Sequence, residues 1–341
     1  MLFSRHELAI DLGTANTVIY QNDKIVVDEP SIVAVNSRTN AFIAVGKKAQ
    51  LMEGKENPGI TTIRPLVSGV IADFNAAELM IKGFIDMATH RTSKLFSPRY
   101  KLVIGIPKGS TPVEIRAVRD SAEHAGGNDV FLVYEPMASA LGIGMNVLAP
   151  QGNMIVDIGG GTTEIAVISL GDIVVAKSVR TAGNEITNDI ITYLNQQHGL
   201  KVGNTTAEQI KFKIGAVLPE LPPDCEIPEP YSITGKNVVT AHPIHTTIEY
   251  QEIAHCTDTT IHKIEEEIQQ VLNTTPPELY SDIVENGIWL AGGGSLLRGI
   301  AQRFSDRTGI AFHVAEDPLK AVARGTCEAL KHTDDYPFLM R

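Results

Sequence analysis

Two short segments carry residues whose types and order suit phosphate chemistry: Asp11-Leu12-Gly13-Thr14-Ala15-Asn16 and Asp157-Ile158-Gly159-Gly160-Gly161-Thr162-Thr163-Glu164. In each, an apolar run (Leu8-Ala9-Ile10; Met154-Ile155-Val156) ends on Asp, turns on Gly and presents a hydroxyl. The chain then returns to β-type sequence (Thr17 to Tyr20; Ile165 to Ile168), so each reads as a hairpin with a polar tip. Glycine at such a tip lets backbone N–H groups converge on an anion. A carboxylate cannot itself bind phosphate, and Asp11 and Asp157 are better suited to a metal ion or its water. One Asp-x-Gly-Thr could equally be an ordinary tight turn, since Gly and Asp favour turns. The turn reading does not explain why both tips keep Asp, Gly and Thr in one order, and two tips could pinch one polyphosphate from both sides.

A third glycine run, Gly292-Gly293-Gly294-Ser295, follows the strand-like Ile288-Trp289-Leu290-Ala291 and leads into a helix expected from Leu296. Consecutive glycines would let a flat base lie against the backbone; strand-to-helix glycine turns also serve as packing devices. The elements that must position these residues are readable around them. From residue 8 to about 46 the text is a meander of strands, and a buried strand runs from Tyr100 to Pro107. Helices are expected from Asn75 to about His90, from the capping box Thr111-Pro112-Val113-Glu114 to Gly126-Gly127, and from Glu135-Pro136 to Gly142. The second Asp hairpin opens a second strand-rich unit like the first. Helices follow from about Asn184 to His198 and from a second capping box, Thr206-x-x-Gln209. Pro219 to Pro230 reads as an exposed, mobile loop. A hairpin turning on Gly235-Lys236-Asn237 and a long helix from about Tyr250 to Leu272 complete the outline.

At 341 residues the chain exceeds what one core usually supports, so two domains with a cleft between them are expected. The formal net charge of −11 argues against a nucleic-acid binder working through a broad basic surface. Cys225, Cys256 and Cys327 suit free thiols in a reducing cytoplasm, and His242, His245, His255 and Cys256 match no zinc spacing. The polar N-terminus is no signal peptide, and no apolar run approaches bilayer length. A cytoplasmic protein is therefore expected.

Taken together, the two Asp hairpins, Glu135-Pro136 and Gly292 to Ser295 resemble the actin, Hsp70 and sugar-kinase superfamily. Within it the wording is most similar to the MreB family of bacterial actins. The phrases Ile10 to Thr17, Gly69-Val70-Ile71-Ala72-Asp73-Phe74, Glu135-Pro136-Met137-Ala138, Val156 to Thr163, Thr275-Pro276-Pro277-Glu278-Leu279 and Ala315-Glu316-Asp317-Pro318-Leu319 carry the likeness, which spans the chain. The resemblance implies an α/β actin-like ATPase fold of two duplicated ribonuclease-H-like domains, 1–150 and 151–341, each with a smaller subdomain, the second at about 184–260. It implies ATP and Mg²⁺ in the cleft. Gly13, Thr14, Ala15 and Asn16 with Gly159, Gly160, Gly161 and Thr162 would hold the phosphates, while Asp11 and Asp157 face the metal. Glu135 would direct the attacking water, with Asp157 beside it in catalysis; the plainer reading of Glu135 is a helix-start carboxylate. Glu208, Gln209, Ile210 and Lys211 would reach ribose and base above Gly292, Gly293, Gly294 and Ser295. From sequence alone Glu208 and Lys211 are merely exposed helix residues. Where the family often has Gly-Gly-Asp this chain reads Ala182-Gly183-Asn184, which removes a carboxylate near the nucleotide.

The stretch from His90 to Lys101 holds four Lys/Arg and no acids around Leu95-Phe96. Such a loop either plugs its own domain or inserts into an anionic lipid surface. The resemblance favours lipid, helped by Met1-Leu2-Phe3, and a peripheral place on the inner face of the cell membrane. It further implies self-assembly into filaments, guidance of cell-wall synthesis in rod-shaped growth, and transmembrane elongation-machinery partners such as RodZ and MreC. The alternative is a small-molecule kinase of the same superfamily, which would need a catalytic Asp where Glu135 stands. An Hsp70-type chaperone is disfavoured because no substrate domain follows.

Overall fold

The computed structural model describes residues 6–89 and 99–341. Its frame is two five-stranded sheets built to one plan. In the first, β1 (His6–Leu12), β2 (Asn16–Gln21) and β3 (Lys24–Pro30) form an antiparallel meander. On the other side of β1 lie β4 (Tyr100–Ile106) and β5 (Gly127–Tyr134), both parallel to it, giving the order β5-β4-β1-β2-β3. In the second, β6 (Asn153–Ile158), β7 (Thr163–Ser169) and β8 (Asp172–Val179) repeat the meander. There β9 (Ile288–Ala291) and β10 (Phe312–Val314) repeat the parallel additions, so the order is β8-β7-β6-β9-β10. The expected α/β duplication holds strand for strand. Every residue of β7 is buried, as a central strand covered on both faces must be.

Each sheet carries an insertion. After β3, strands Val33–Asn36, Phe42–Val45 and Ile60–Ile63 form a small sheet. After β8 come Leu200–Lys201, Tyr231–Asn237 and Pro243–Ile248, with the helices Gly183–His198 and Asn204–Ile214 beside them. Each sheet has its own apolar core, and a third cluster joins them. That cluster sets Ala9, Val103 and Met137 against Ile155, Ala166 and Ala291, and closes with Ala321, Ala329 and Leu330. Two helices meet there, α1 (Glu135–Gly142) and α2 (Ala321–Lys331). Beyond α2 the chain returns to the first sheet, where Met340 and Leu132 exchange both backbone hydrogen bonds at 2.9 Å.

Four expected local features shift. The hairpin turns at 238–242 rather than on Gly235-Lys236-Asn237, because the Asn237 side chain accepts from the N–H of Val239 and Thr240, both at 2.8 Å. Gly235 instead lets the strand approach Leu200, 2.7 Å from where a Cβ would stand. The expected Thr206-x-x-Gln209 cap lies inside a helix whose first residue is Asn204 and whose N-cap is Gly203. The long helix divides at Thr257, whose hydroxyl bonds back to Ile253 O, into Tyr250–Cys256 and Asp258–Thr274. After Gly292 a single 3₁₀ turn intervenes and the helix begins at Ile300. Among the described residues no helix is long and apolar enough to cross a membrane.

Candidate functional site

The two Asp hairpins are real hairpins, β1–β2 and β6–β7, and their tips face each other. A Cβ on Gly160 would stand 2.8 Å from the Ala15 Cβ, and one on Gly161 2.6 Å from the Thr14 Oγ1 and 2.9 Å from the Ser68 Cα. Only glycine permits this approach of one backbone to the other. Each tip is fixed from behind. Ser31 holds the first, donating its hydroxyl to Gly13 O (2.6 Å) and its amide to Ala15 O (2.9 Å). The second closes on itself through Gly159 N to Thr162 O (2.9 Å). It also receives the amides of Gly183 (on Gly159 O, 3.0 Å) and Asn184 (on Gly160 O, 2.8 Å). The start of helix Gly183–His198 is thereby docked on the tip, where its positive end favours an anion.

Four carboxyl groups are gathered at the base of these tips. Burial, then the charge of Asp157, pushes Asp11 up to about 8. Burial raises Asp157 to about 6 against the pull of a hydrogen bond from Ser139 Oγ. Glu164, the cross-strand partner of Asp157, is raised to about 7 by burial, while Ser178 and the Lys108 amide hold it down. Glu135 stands well above its ordinary value, first through burial and then through Glu164, Asp11 and Asp157. Such a set favours a cation that would let these groups ionise. Two aspartates at strand ends are the donors that Mg²⁺ takes, while it keeps most of its waters. Among the described residues no three His, Cys, Asp or Glu side chains stand close enough to ligate a metal together. The residues therefore fit an ion held by one or two carboxylates plus waters and phosphate oxygens.

Above the tips a cavity of about 600 Å³ opens between the two halves. Thr14, Ala15, Asn16, Lys47 and Arg64 line one wall, and Asn184, Glu185, Glu208 and Phe212 the other. Glu208 thus lines the cavity. Lys211 lies lower, its amine donating to Gly183 O and Thr187 Oγ1 at 2.8 Å each, and burial lowers its affinity for the proton. Gln209 is exposed. Ile210 corrects the expectation, because its side chain is fully buried in the second core and cannot touch a ligand. The third glycine run is in part a packing device. A Cβ on Gly294 would stand 2.7 Å from the Ile158 Cβ, and Ser295 is buried with its hydroxyl on Gly292 O. Gly292 and Gly293 stay half-buried and the former abuts Asp157. Leu95, Phe96 and Met1-Leu2-Phe3 lie outside the described residues.

Sequence reasoning assigned no role to Ser139, Lys108 or Glu164. For Glu164 a signal existed: a four-residue tip at 159–162 pairs Ile158 with Thr163 and hence Asp157 with Glu164.

The MreB/Mbl protein family model matches residues 5–337. The cell shape-determining protein Mbl of Bacillus subtilis is 40% identical over 337 residues, 98% of this chain and 98% of its own. The cell shape-determining protein MreB of Escherichia coli K12 is 41% identical over 334 residues, 96% of this chain and 94% of its own. Among solved structures, MreB5 of Spiroplasma citri bound to AMPPNP superposes with a TM-score of 0.88 at 35% identity, covering 97% of each chain. The ADP-bound form of that protein gives the same score over 98% of this chain. A MamK double helical filament, 20% identical with a TM-score of 0.79, shares the fold.

Proposed function

The chain belongs to the MreB/Mbl family of actin-like proteins, and from that premise we propose an ATPase that assembles into filaments on the inner face of the cell membrane and helps to determine cell shape. One observation carries the nucleotide part: two glycine tips from duplicated sheets meet over a cluster of buried carboxyls. Backbone amides of the tips 13–16 and 160–162 would receive the phosphates from both sides, so that binding draws the halves together. The adenine nucleotides held by MreB5 of S. citri support ATP as the ligand.

Mg²⁺, when bound through Asp11 and Asp157, would neutralise charge on the phosphates. Ser139 holds Asp157 by its Oδ2, leaving Oδ1 for the ion or its water. Glu135, the first residue of α1, has the burial and the elevated proton affinity of a group that can position a water and take up its proton. Glu208 would receive sugar hydroxyls. The relatives' names as cell shape-determining proteins favour the cytoskeletal reading over a small-molecule kinase. Self-assembly, membrane contact through Leu95 and Phe96, guidance of cell-wall synthesis, and contact with RodZ and MreC belong to the same proposal.

The test is sedimentation and negative-stain imaging with anionic liposomes, with and without Mg-ATP, comparing the parent with a Leu95→Ser/Phe96→Ser double variant. Nucleotide-dependent filaments on lipid, lost from lipid in the variant, are the expected outcome. No filaments under any condition would overturn the cytoskeletal reading.

A further inference from the structure

We propose that Glu164 is a positioning residue of the hydrolytic site, tying the phosphate hairpin of the second half to the segment of the first half that carries Glu135. The inference rests on the reading of Glu135 given above. Glu164 is 1% exposed, yet neither carboxylate oxygen lacks a partner. One accepts the Ser178 hydroxyl from the neighbouring strand β8 at 2.5 Å, which fixes the carboxylate on its own sheet. The other accepts the backbone amide of Lys108 at 3.1 Å. Lys108 lies just beyond β4 in the first half, so this bond crosses between the halves.

The loop that crosses is set hard against the second sheet. A Cβ on Gly109 would stand 2.8 Å from both the Cβ and the Oγ of Ser178, so the loop backbone rests directly on the side chain that orients Glu164. Lys108 then turns back. Its amine sits 4.0 Å over the ring of Tyr134, the residue immediately before Glu135. Tyr134 and Ile106, from which the loop departs, are register partners on β5 and β4. A continuous path therefore runs from Glu164 through the Lys108 amide and side chain to Tyr134 and the first residue of α1. A shift of the hairpin tip on phosphate contact would be passed to Glu135 along it, and a loose loop would leave Glu135 without a fixed place relative to the phosphates. Positioning errors of this kind, about 1 Å in size, are enough to cost up to ~100-fold in rate.

The experiment compares full-length Glu135→Ala, Glu164→Ala, Glu164→Gln and the two combined variants. The readouts are phosphate release at saturating Mg-ATP, normalised to pelleted protein, and affinity for a fluorescent ATP analogue. Glu164→Ala is expected to lower turnover by about 10- to 100-fold with affinity changed less than about threefold. Glu164→Gln, which still accepts from the Lys108 amide, should recover much of that loss. The combined variants should be no slower than Glu135→Ala alone, because a residue acting through Glu135 has nothing left to position. Losses that multiply in the combined variants would mean an independent role and overturn the proposal, as would full activity of Glu164→Ala. If Glu164→Ala does not fold, Glu164→Leu, alone and with Glu135→Ala, replaces it: it keeps the buried volume but accepts from neither the Ser178 hydroxyl nor the Lys108 amide, and multiplied losses or full activity again overturn the proposal. Parent-like turnover of Glu135→Ala would instead remove the assignment of Glu135, a different failure with a different signature.

Discussion

Gly325→Ala should damage hydrolysis from a position that touches no ligand. Gly325 lies within α2 where that helix crosses α1, and a Cβ there would stand 2.5 Å from the carbonyl carbon of Ala138 and 2.9 Å from its Cα, with the carbonyl oxygen nearer still. The reciprocal contact is Gly142 of α1, whose Cβ would stand 2.8 Å from both the Ala321 carbonyl carbon and the Gly325 nitrogen. Ordinary carbon contacts are about 3.5–4.0 Å, so one methyl requires the two helices to part by about 1 Å. The atoms struck are backbone, which has no rotamer to escape into, and overpacking of this kind costs about 3 kcal/mol. Replacing a helix-interior Gly by Ala returns about 1 kcal/mol of helix propensity. The net loss is about 2 kcal/mol, and with a urea slope of about 3 kcal/mol/M it lowers the midpoint by about 0.7 M. The same 1 Å displaces α1, which carries Glu135 at its start and Ser139 on Asp157, so turnover should fall by about 10- to 100-fold. Urea titration and phosphate release on one preparation check both figures. An unchanged midpoint together with parent-like turnover would refute the argument that this glycine contact fixes α1.

The carboxyl cluster gives a pH prediction. Asp11 titrates at about 8 and Asp157 at about 6 in the folded chain against a reference of 3.8, so the native state holds protons there that the unfolded state has released. In chelator the stability contributed by these groups is therefore full below about pH 4 and is lost as pH rises through about 6 and then about 8. Mg-ATP needs the ionised groups, so the stabilisation it confers should grow over the same span; urea midpoints at about pH 6 and about pH 8.5 that moved in parallel with and without it would contradict this. Asp157→Ala should abolish Mg-dependent tightening of ATP binding, read by titrating a fluorescent analogue with and without Mg²⁺. Gly160→Val places branched carbon where a Cβ already meets Ala15 at 2.8 Å, so it should hold the tips apart and weaken ATP binding at least tenfold, by about 1.4 kcal/mol; unchanged affinity would remove the paired-tip reading.

What the sequence made legible was local. Asp11 and Asp157 could be found because each stands at the end of an apolar run and is followed within a few residues by its own glycine and threonine. The hairpin supplies both the residue and its reason in one stretch of text, and repetition of that stretch announced the duplicated sheets. The Glu135 position was marked by a Pro at the first turn of its helix. The misread features depend on partners distant in sequence. Gly235 reads as a turn residue because nothing near it in the sequence shows that Leu200 lies against it. Ile210 sits two residues after Glu208, which lines the cleft, and only the helical phase of the folded chain turns it into the core. Glu164 has the same difficulty in stronger form. Its near partner, Asp157, follows from hairpin register, but the Lys108 amide is a backbone group on another domain and leaves no mark in residue type. Side chains announce chemistry, whereas the contacts that hold two halves in one geometry are largely made by backbone and by glycines whose missing Cβ is visible only against its neighbour. This cleft is made of both kinds, so the chemistry that it suits can be inferred from text while the contacts that join its halves must be read from the fold.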